Sequence, residues 1–359
     1  MNIGIIGLGE VAQLMHLPIL SDMTERCSIS AVSDVSGNLV EHITTKYGIP
    51  FGSTNGSDVI IDPSIDAVVI LSPDQYHGQY VRQALEADKH VFVEKPATLT
   101  AEELEDLVEV HKRHPASIVM VGYMRRFAAP FLTAKEIMAA QPKKTEYLRF
   151  RDIICEAPFY SGQARKAYVP TDIPPEVLLA GRQRRKEQID QAIGAQSTDS
   201  ERTTYQALTG LGCHTLSAVR ELFGLPKKIR SVTTSQDGRH LVITFDYGDF
   251  IGVYELVNDQ DIVQFDAAIE IFQRDRKLKI KYETPYIRNQ PLHLEVIESD
   301  RHSTKTTIYG PTYTDPFKVE METFFDCIEQ KRQPKTGLED ALEDLRLFTQ
   351  IIATSRNMQ

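Results

Sequence analysis

A lysine beside a carboxylate, Lys95 after Glu94, is the feature of this sequence that most directly suggests chemistry. The pair closes a stretch, residues 67–100, that reads as a short apolar strand, a turn, an amphipathic helix and a second short strand. Such a unit pairs its strands in parallel, and ligands of parallel sheets bind beyond the carboxyl ends of the strands. Glu94 and Lys95 are therefore predicted to lie at a ligand-binding edge with the turn Ser72-Pro73-Asp74. There the lysine could exchange a proton with a hydroxyl or a carbonyl.

His214 is the second candidate for proton transfer. It lies in a run with helical spacing, residues 203–223. An imidazole there could serve as base, acid or hydroxyl binder. The alternative, which stays open, is a structural histidine whose hydrogen bonds are made within its own helix. Cys213 beside it is interpreted as a small buried side chain and not as a nucleophile.

The start of the chain carries a glycine-rich turn. Residues 2–6 read as a buried strand, followed by Gly7-x-Gly9-x-x-Ala12 and the beginning of a helix. Gly7 permits a tight turn, and Gly9 lets the backbone approach a pyrophosphate at the helix N-terminus. Asp34 ends the next predicted strand, 25 positions after Gly9, near the spacing of a carboxylate that bonds the adenosine ribose. These features predict a dinucleotide site.

The same acid bears on which dinucleotide binds. No arginine or lysine lies in residues 35–38, and a carboxylate repels a 2′-phosphate. The sequence therefore favours NAD as the cofactor, with NADP left open.

Length and periodicity indicate two domains, since 359 residues exceed one ordinary core. Residues 1–122 alternate apolar strands with helices, as in an α/β dinucleotide-binding (Rossmann) domain. Residues 123–359 read as α+β, because alternating strands with hairpin signals such as Asp237-Gly238 predict a large, mostly antiparallel sheet. The family resemblance given below implies that this second domain binds the substrate and forms the dimer, and its closing helix is able to pack back on the first domain.

Composition excludes several classes of protein. A hydrophobic content of 42% and a charged content of 25% are typical of a soluble globular protein, and a net charge of −10 argues against nucleic-acid binding. No apolar run approaches membrane-spanning length, and the chain opens on a strand without a secretory signal. The four cysteines form no CxxC pair. We therefore expect a cytoplasmic protein with reduced thiols, no metal site and no membrane partner.

Several motifs resemble the Gfo/Idh/MocA oxidoreductase family, and the likeness extends over nearly the whole chain. The resemblance implies a Rossmann domain joined to an open, largely antiparallel sheet whose outer face commonly forms a dimer interface. It also implies hydride transfer between a nicotinamide and a hydroxyl or carbonyl group of a sugar, polyol or sugar derivative. The matching motifs are Gly7-Leu8-Gly9-Glu10-Val11-Ala12, Ser72-Pro73-Asp74-Gln75-Tyr76-His77, Lys89-His90-Val91-Phe92-Val93-Glu94-Lys95-Pro96, Gly122-Tyr123-Met124-Arg125-Arg126-Phe127 and Gly337-Leu338-Glu339-Asp340-Ala341.

The resemblance also assigns roles to residues. It implies that Lys95 reaches the substrate and the nicotinamide ribose, with Glu94 beside the cofactor, and that the protein is a homodimer or homotetramer formed through the C-terminal sheet. Lys95 and His214 are the predicted catalytic residues. Predicted cofactor contacts are Gly7, Gly9, Glu10, Val11, Asp34, Ser72, Pro73, His77, Glu94 and Lys95; predicted substrate contacts are Lys95, Tyr123, Arg125 and His214.

Two of these residues have simpler interpretations. For His77, orienting the helix after Ser72 is favoured over chemistry. For Arg125, which leaves a strand at the ligand edge, a plain salt bridge is as acceptable as a substrate contact.

The sequence departs from the family pattern at Gly210, where the family carries an aspartate four residues before its histidine. Either another carboxylate takes that role, or Lys95 and His214 act without it. Asp74 also stands where the family often carries asparagine, which adds negative charge. Two other functions stay open: an NAD-dependent glycoside hydrolase that oxidises its substrate transiently, and a ligand-sensing protein that has lost catalysis.

Overall fold

The computed structural model describes residues 1–154, 157–164, 166–259, 261 and 263–357, so that Cys155 lies outside the described residues. The strands of this part of the chain form two sheets. They are β1 (Asn2–Ile6), β2 (Ser28–Ser33), β3 (Phe51–Ser53), β4 (Ala67–Ile70), β5 (His90–Glu94), β6 (Val119–Gly122), β7 (Thr145–Ile154), β8 (Lys228–Thr234), β9 (His240–Asp246), β10 (Ile251–Asn258), β11 (Asp266–Gln273), β12 (Arg276–Tyr282), β13 (Leu292–Ser299) and β14 (Thr304–Thr312).

Helices connect the strands of the first sheet and flank the second. Two five-residue π-helical segments, Ala12–His16 and Leu208–Gly212, and two 3₁₀ turns, Asp74–Tyr76 and Met124–Phe127, accompany them. The α-helices are α1 (Leu17–Asp22), α2 (Gly37–Tyr47), α3 (Gly56–Ile61), α4 (His77–Glu86), α5 (Ala101–Arg113), α6 (Ala129–Ala140), α7 (Ala157–Ala164), α8 (Pro175–Ile193), α9 (Asp199–Ala207), α10 (Cys213–Phe223), α11 (Pro316–Glu329) and α12 (Leu338–Arg356).

The first sheet has six parallel strands in the order β3-β2-β1-β4-β5-β6. Its apolar runs are covered on both faces; Ile5, Val69 and Phe92 pair in register and are each 0% exposed. Burying such a side chain contributes about 1.5–3 kcal/mol, which is why the runs form the centre of the core. The strand order reverses between β1 and β4, the point at which doubly wound sheets bind ligands. The predicted α/β Rossmann domain is confirmed.

The second sheet has eight strands in the order β14-β13-β12-β11-β7-β10-β9-β8. Neighbouring strands are antiparallel except β7 and β10, which are parallel. Alternate residues of β7, Leu148 and Phe150, are 0% exposed, whereas Tyr147 and Arg149 lie at the surface. The prediction of a large, mostly antiparallel sheet is confirmed.

The chain divides into two compact units. Of the described residues, those within 1–122, 165–195 and 320–346 form the first unit, and those within 123–164, 196–319 and 347–359 form the second. The first segment thus ends at Gly122, where a domain boundary is expected from the sequence, but two later segments also pack with it. Among the described residues, no helix is long and apolar enough to cross a membrane.

Candidate active site

The glycine-rich turn after β1 contains two glycines with different surroundings. The fold requires glycine at position 7, whereas at position 9 it leaves room for a side chain. Gly7 has a φ of +91°, and a Cβ there would lie 2.5 Å from the Ser72 backbone nitrogen. A side chain at Gly7 would therefore clash with backbone as well as strain the turn. A Cβ at Gly9 would meet nothing within 4 Å. Gly9 thus presents bare backbone to open space, as a pyrophosphate-binding turn must.

Asp34, at the end of β2, holds this turn by its carboxylate. One oxygen accepts a hydrogen bond from the Leu8 backbone amide at 2.9 Å, and the other accepts from the Ser36 amide at 3.0 Å. Each oxygen keeps a further lone pair that could accept from a ribose hydroxyl. Asp34 therefore joins the glycine turn to the start of α2, where the ribose is predicted to bind.

The turn after β4 contains a buried hydroxyl, Ser72 Oγ, that has no hydrogen-bond partner among the described residues. His77 lies beneath it, 2% exposed, with Nε2 2.7 Å from the Ser72 carbonyl oxygen and Nδ1 2.7 Å from the Pro96 carbonyl oxygen. Because both ring nitrogens face backbone carbonyls, His77 joins the turn after β4 to the turn after β5. This contact supports the interpretation of His77 as an orienting residue; Pro73 is exposed.

Helix α8 covers this turn. Arg185 binds the Asp74 carboxylate at 2.8 Å, and the Arg184 guanidinium lies 4.9 Å from the centre of the Tyr76 ring. The extra negative charge of Asp74 is therefore offset by an arginine from a segment more than 100 residues later.

A buried imidazole and carboxylate lie directly before the lysine. His16 is 1% exposed and Glu94 is 8% exposed, and Nε2 of His16 lies 2.8 Å from a carboxylate oxygen of Glu94. The other oxygen of Glu94 accepts from the Lys95 backbone amide at 3.1 Å. Burial by itself raises the pKa of Glu94, but the hydrogen bond from His16 and the charge of Lys95 outweigh it and leave the pKa below the ordinary value. Glu94 is therefore an anion that holds the backbone of Lys95.

This coupling predicts a pH-dependent stability. Since the pKa of Glu94 is lower in the folded state, its contribution is present above the ordinary glutamate range and is lost as pH falls through the folded value. Glu94→Gln should cost about 1–3 kcal/mol of unfolding free energy at pH 7, as for hydrogen bonds to charged groups. Urea denaturation should show that cost constant at neutral pH and shrinking as pH is lowered below about 4.5, the ordinary glutamate range.

A surface glutamate provides the control for that measurement. Glu109→Gln removes an exposed carboxylate that pairs with Lys112 and should change stability by less than about 0.5 kcal/mol. A cost of Glu94→Gln that grows toward acid pH would contradict the assignment of Glu94 as a buried anion.

In the second unit, a buried ionic network surrounds Asp152 of β7. Its carboxylate accepts hydrogen bonds from Arg125, from the Thr215 hydroxyl at 3.0 Å and from the Tyr254 hydroxyl at 2.8 Å. The guanidinium of Arg125 also lies 4.9 Å from the centre of the Tyr282 ring. All five side chains are at most 3% exposed. Burial raises the pKa of Tyr254, and the neighbouring Asp152 charge raises it further, so the phenol stays a donor.

The other predicted substrate and catalytic residues also lie in the second unit. Tyr123 is 2% exposed and precedes the 3₁₀ turn that carries Arg125. His214 is half-buried near the start of α10, and Gly210 lies in the π-helical segment before it. Asp152 is thus a buried carboxylate bound to the residue after His214, although nothing in the sequence motif pointed to it. Substrate contact by Tyr123 and Arg125 stays a prediction.

Sequence reasoning missed two buried titratable residues, Asp152 and His16, and each carried some signal. Asp152 occupies an inward position of an alternating strand, after Leu148 and Phe150, where an unpaired carboxylate would be costly. His16 follows the glycine-rich turn on a fully buried helical segment. Both residues meet their partners only through tertiary contacts. The sequence can therefore show that they are buried polar residues, but it cannot show which residue each one pairs with.

Comparison with known proteins identifies relatives of the first part of the chain. Residues 1–123 match the model of the GFO_IDH_MocA family, described as an oxidoreductase family with an NAD-binding Rossmann fold. Over 134 residues the chain is 36% identical to the inositol 2-dehydrogenase of Acidothermus cellulolyticus. That match covers 37% of this chain and 39% of the relative, so the chain matches its curated relative over less than half of the relative's length.

Solved structures resemble the chain over its whole length. Myo-inositol 2-dehydrogenase from Lactobacillus plantarum superposes with a TM-score of 0.73 at 19% identity, covering 100% of this chain and 98% of that one. A 3-ketoreductase from Actinomadura kijaniata, solved with NADP and TDP-benzene, gives 0.74 at 14% identity, covering 99% and 97%. Such identities show a shared fold. Residues 1–123 thus match the Gfo/Idh/MocA oxidoreductase family, and the chain as a whole shares the fold of these solved structures.

Proposed function

We propose that this protein is a nicotinamide-dependent oxidoreductase that transfers hydride between NAD(P) and a hydroxyl or carbonyl group of a sugar, polyol or sugar derivative. The observation that carries the proposal is the first-unit site: an open glycine turn at Gly9, an acid at Asp34 and Lys95 at the end of β5. The inositol dehydrogenase relative supports the substrate class. NAD is favoured because residues 34–38 hold an acid and no cation.

The residues present suit a bound dinucleotide. Bare backbone at Gly9 would hold the pyrophosphate, Asp34 the adenosine ribose, and the turn at Ser72 and Pro73 the nicotinamide end. The unsatisfied Ser72 hydroxyl supports this assignment, because a buried polar atom without a partner costs about 1–3 kcal/mol and a ligand could satisfy it. Glu10, Val11 and His77 complete the proposed cofactor contacts, the last through backbone positioning.

A bound nicotinamide would supply hydride chemistry at the substrate carbon. The chain's own residues must then handle the hydroxyl proton. We assign that proton to Lys95 Nζ, with Glu94 and His16 holding the lysine backbone in place. His214 is the second proposed catalytic residue, and Tyr123 and Arg125 remain proposed substrate contacts. Homo-oligomer formation through the outer face of the eight-stranded sheet is also a proposal.

The cofactor assignment predicts a specific effect at Gly9. Gly9→Val should weaken NADH binding by about 10²-fold, because the valine side chain fills the space that the pyrophosphate needs. The loss corresponds to at least two polar contacts between the turn and the pyrophosphate. Thermal stability should change little, since a Cβ at Gly9 meets nothing within 4 Å. Fluorescence titration with NADH and a melting curve measure the two quantities. Unchanged NADH affinity would overturn the assignment of this turn.

Turnover tests the reaction itself. Purified protein should change nicotinamide absorbance when mixed with NAD and members of a panel of inositols, aldoses and keto sugars. Cofactor that binds but never changes redox state across such a panel would contradict the oxidoreductase proposal. Glycoside cleavage without net cofactor reduction would replace it by the glycosidase alternative.

A further inference from the structure

Residues 166–172 of the first unit, which we call the strap, lie against the elements that carry the dinucleotide turn. The Tyr168 amide donates to Gln13 Oε1 at 2.7 Å, and Gln13 Nε2 donates to the Tyr168 carbonyl at 3.1 Å. The same Gln13 amide, 3% exposed, donates to the Leu8 carbonyl at 2.9 Å. The Tyr168 ring stacks on His42 of α2 at 4.5 Å between centres. The strap is thus anchored both to the segment after the glycine turn and to α2.

The last residue of the strap, Asp172, occupies the hydrogen-bond donors at the start of α2. Its carboxylate accepts from the Ser36 hydroxyl and from the Asn38 amide, the latter at 3.0 Å, and it lies 3.7 Å from a Cβ placed on Gly37. The hydrogen bonds from Ser36 and Asn38 hold the pKa of Asp172 below its ordinary value. Asp172 is therefore charged at neutral pH.

These donors belong to the loop that decides between the two dinucleotides. Ser36 and Asn38 follow Asp34, the acid predicted to meet the adenosine ribose, and a 2′-phosphate on that ribose would need donors or a cation here. A helix N-terminus suits a phosphate. At the start of α2, however, the Ser36 hydroxyl and the Asn38 amide already donate to Asp172. Residues 34–38 contain no lysine or arginine to offset the two acids.

We propose that Asp172 is a specificity-determining residue which, with Asp34, excludes the 2′-phosphate of NADP and so selects NAD. This inference rests on the proposed function, since it concerns the cofactor of the same site. A doubly charged phosphate about 6 Å from a carboxylate in water is repelled strongly enough to change an equilibrium constant about tenfold. The phosphate must also displace Asp172 from its two donors before it can use them.

The test is cofactor binding, measured without turnover. The chain contains no tryptophan, so the emission of reduced nicotinamide can be followed without energy transfer from indole. The wild-type protein should bind NADH more tightly than NADPH. In Asp172→Asn and Asp172→Ala, NADPH affinity should rise by about tenfold while NADH affinity stays close to wild type. Glu86→Gln, an exposed carboxylate on α4, controls for loss of one negative charge.

Each outcome decides the matter. Equal wild-type affinities for NADH and NADPH, or Asp172 variants that change both affinities in the same proportion, would overturn the inference. Circular dichroism of the two variants establishes that they are folded, and Asp172→Asn keeps the size of the side chain. Wild-type protein that binds neither dinucleotide would overturn the proposed function together with this inference. Selective NADH binding without turnover would contradict only the proposed oxidoreductase activity, and the role of Asp172 in cofactor selection would stand.

Discussion

Lys95→Met should lower turnover by about 10²–10⁴-fold, the range for loss of a positioned general acid or base. Methionine keeps most of the length of the lysine stem and removes the ammonium, so that packing in the half-buried turn changes little. NADH affinity should stay near wild type, because the assigned pyrophosphate and ribose contacts, Gly9 and Asp34, are unaltered. Stopped-flow absorbance of the nicotinamide, with the best substrate of the sugar panel, measures the rate.

The control for Lys95→Met is an exposed lysine outside the turn. Lys112, with 58% of its side chain exposed on α5, pairs with Glu109 at the surface, and Lys112→Met should leave the rate unchanged. Turnover of Lys95→Met close to wild type would remove Lys95 from the mechanism. Loss of NADH binding in that variant would instead assign the lysine to the cofactor.

Asp152→Ala should destabilise the second unit by about 3–5 kcal/mol, as expected when one partner of a buried ion pair is removed. The substitution leaves the Arg125 guanidinium buried without its counter-ion, and it deprives the Thr215 and Tyr254 hydroxyls of their acceptor. Tyr254→Phe removes a single hydrogen bond to the same carboxylate and should cost about 1–3 kcal/mol. Urea denaturation followed by circular dichroism provides the free energies.

An exposed ion pair gives the comparison for Asp152. Asp275, with 55% of its side chain exposed, binds Lys143 at 2.7 Å, and Asp275→Ala should cost less than about 1 kcal/mol. Replacing both buried partners, Asp152→Leu with Arg125→Met, should recover much of the loss, since neither charge then lies unpaired. A cost for Asp152→Ala no larger than that for Asp275→Ala would show that the network is not what stabilises this region.

Much of the first unit follows from local patterns. Apolar runs of four or five residues read as buried strands, and helical spacing between them requires parallel pairing, so the order of elements could be written down from the sequence. The glycine turn and Asp34 are recognisable because their spacing along the chain is itself the geometric requirement. The position of Lys95 is recognisable in the same way, since this lysine directly follows a strand whose carboxyl end lies at the edge where ligands bind in parallel sheets.

The long-range pairings behave differently. His16 and Glu94 are 78 residues apart, Thr215 and Asp152 are 63 apart, and Asp172 lies 136 residues beyond Ser36. Neither periodicity nor spacing encodes which of many polar side chains will meet across such distances. Residues 166–195, which are rich in polar side chains and arginine, likewise pack with the first unit, where Arg185 pairs with Asp74.

By itself the sequence determined the two-sheet architecture and the positions of the glycine turn, Asp34 and the lysine after β5, because each depends on side chains close together along the chain. Only the tertiary structure decided which buried charges are paired: Glu94 with His16, Asp152 with Arg125, and Asp172 with the start of α2. A charge can be buried only where a partner and hydrogen-bond donors converge on it, and that convergence exists only once distant segments have packed.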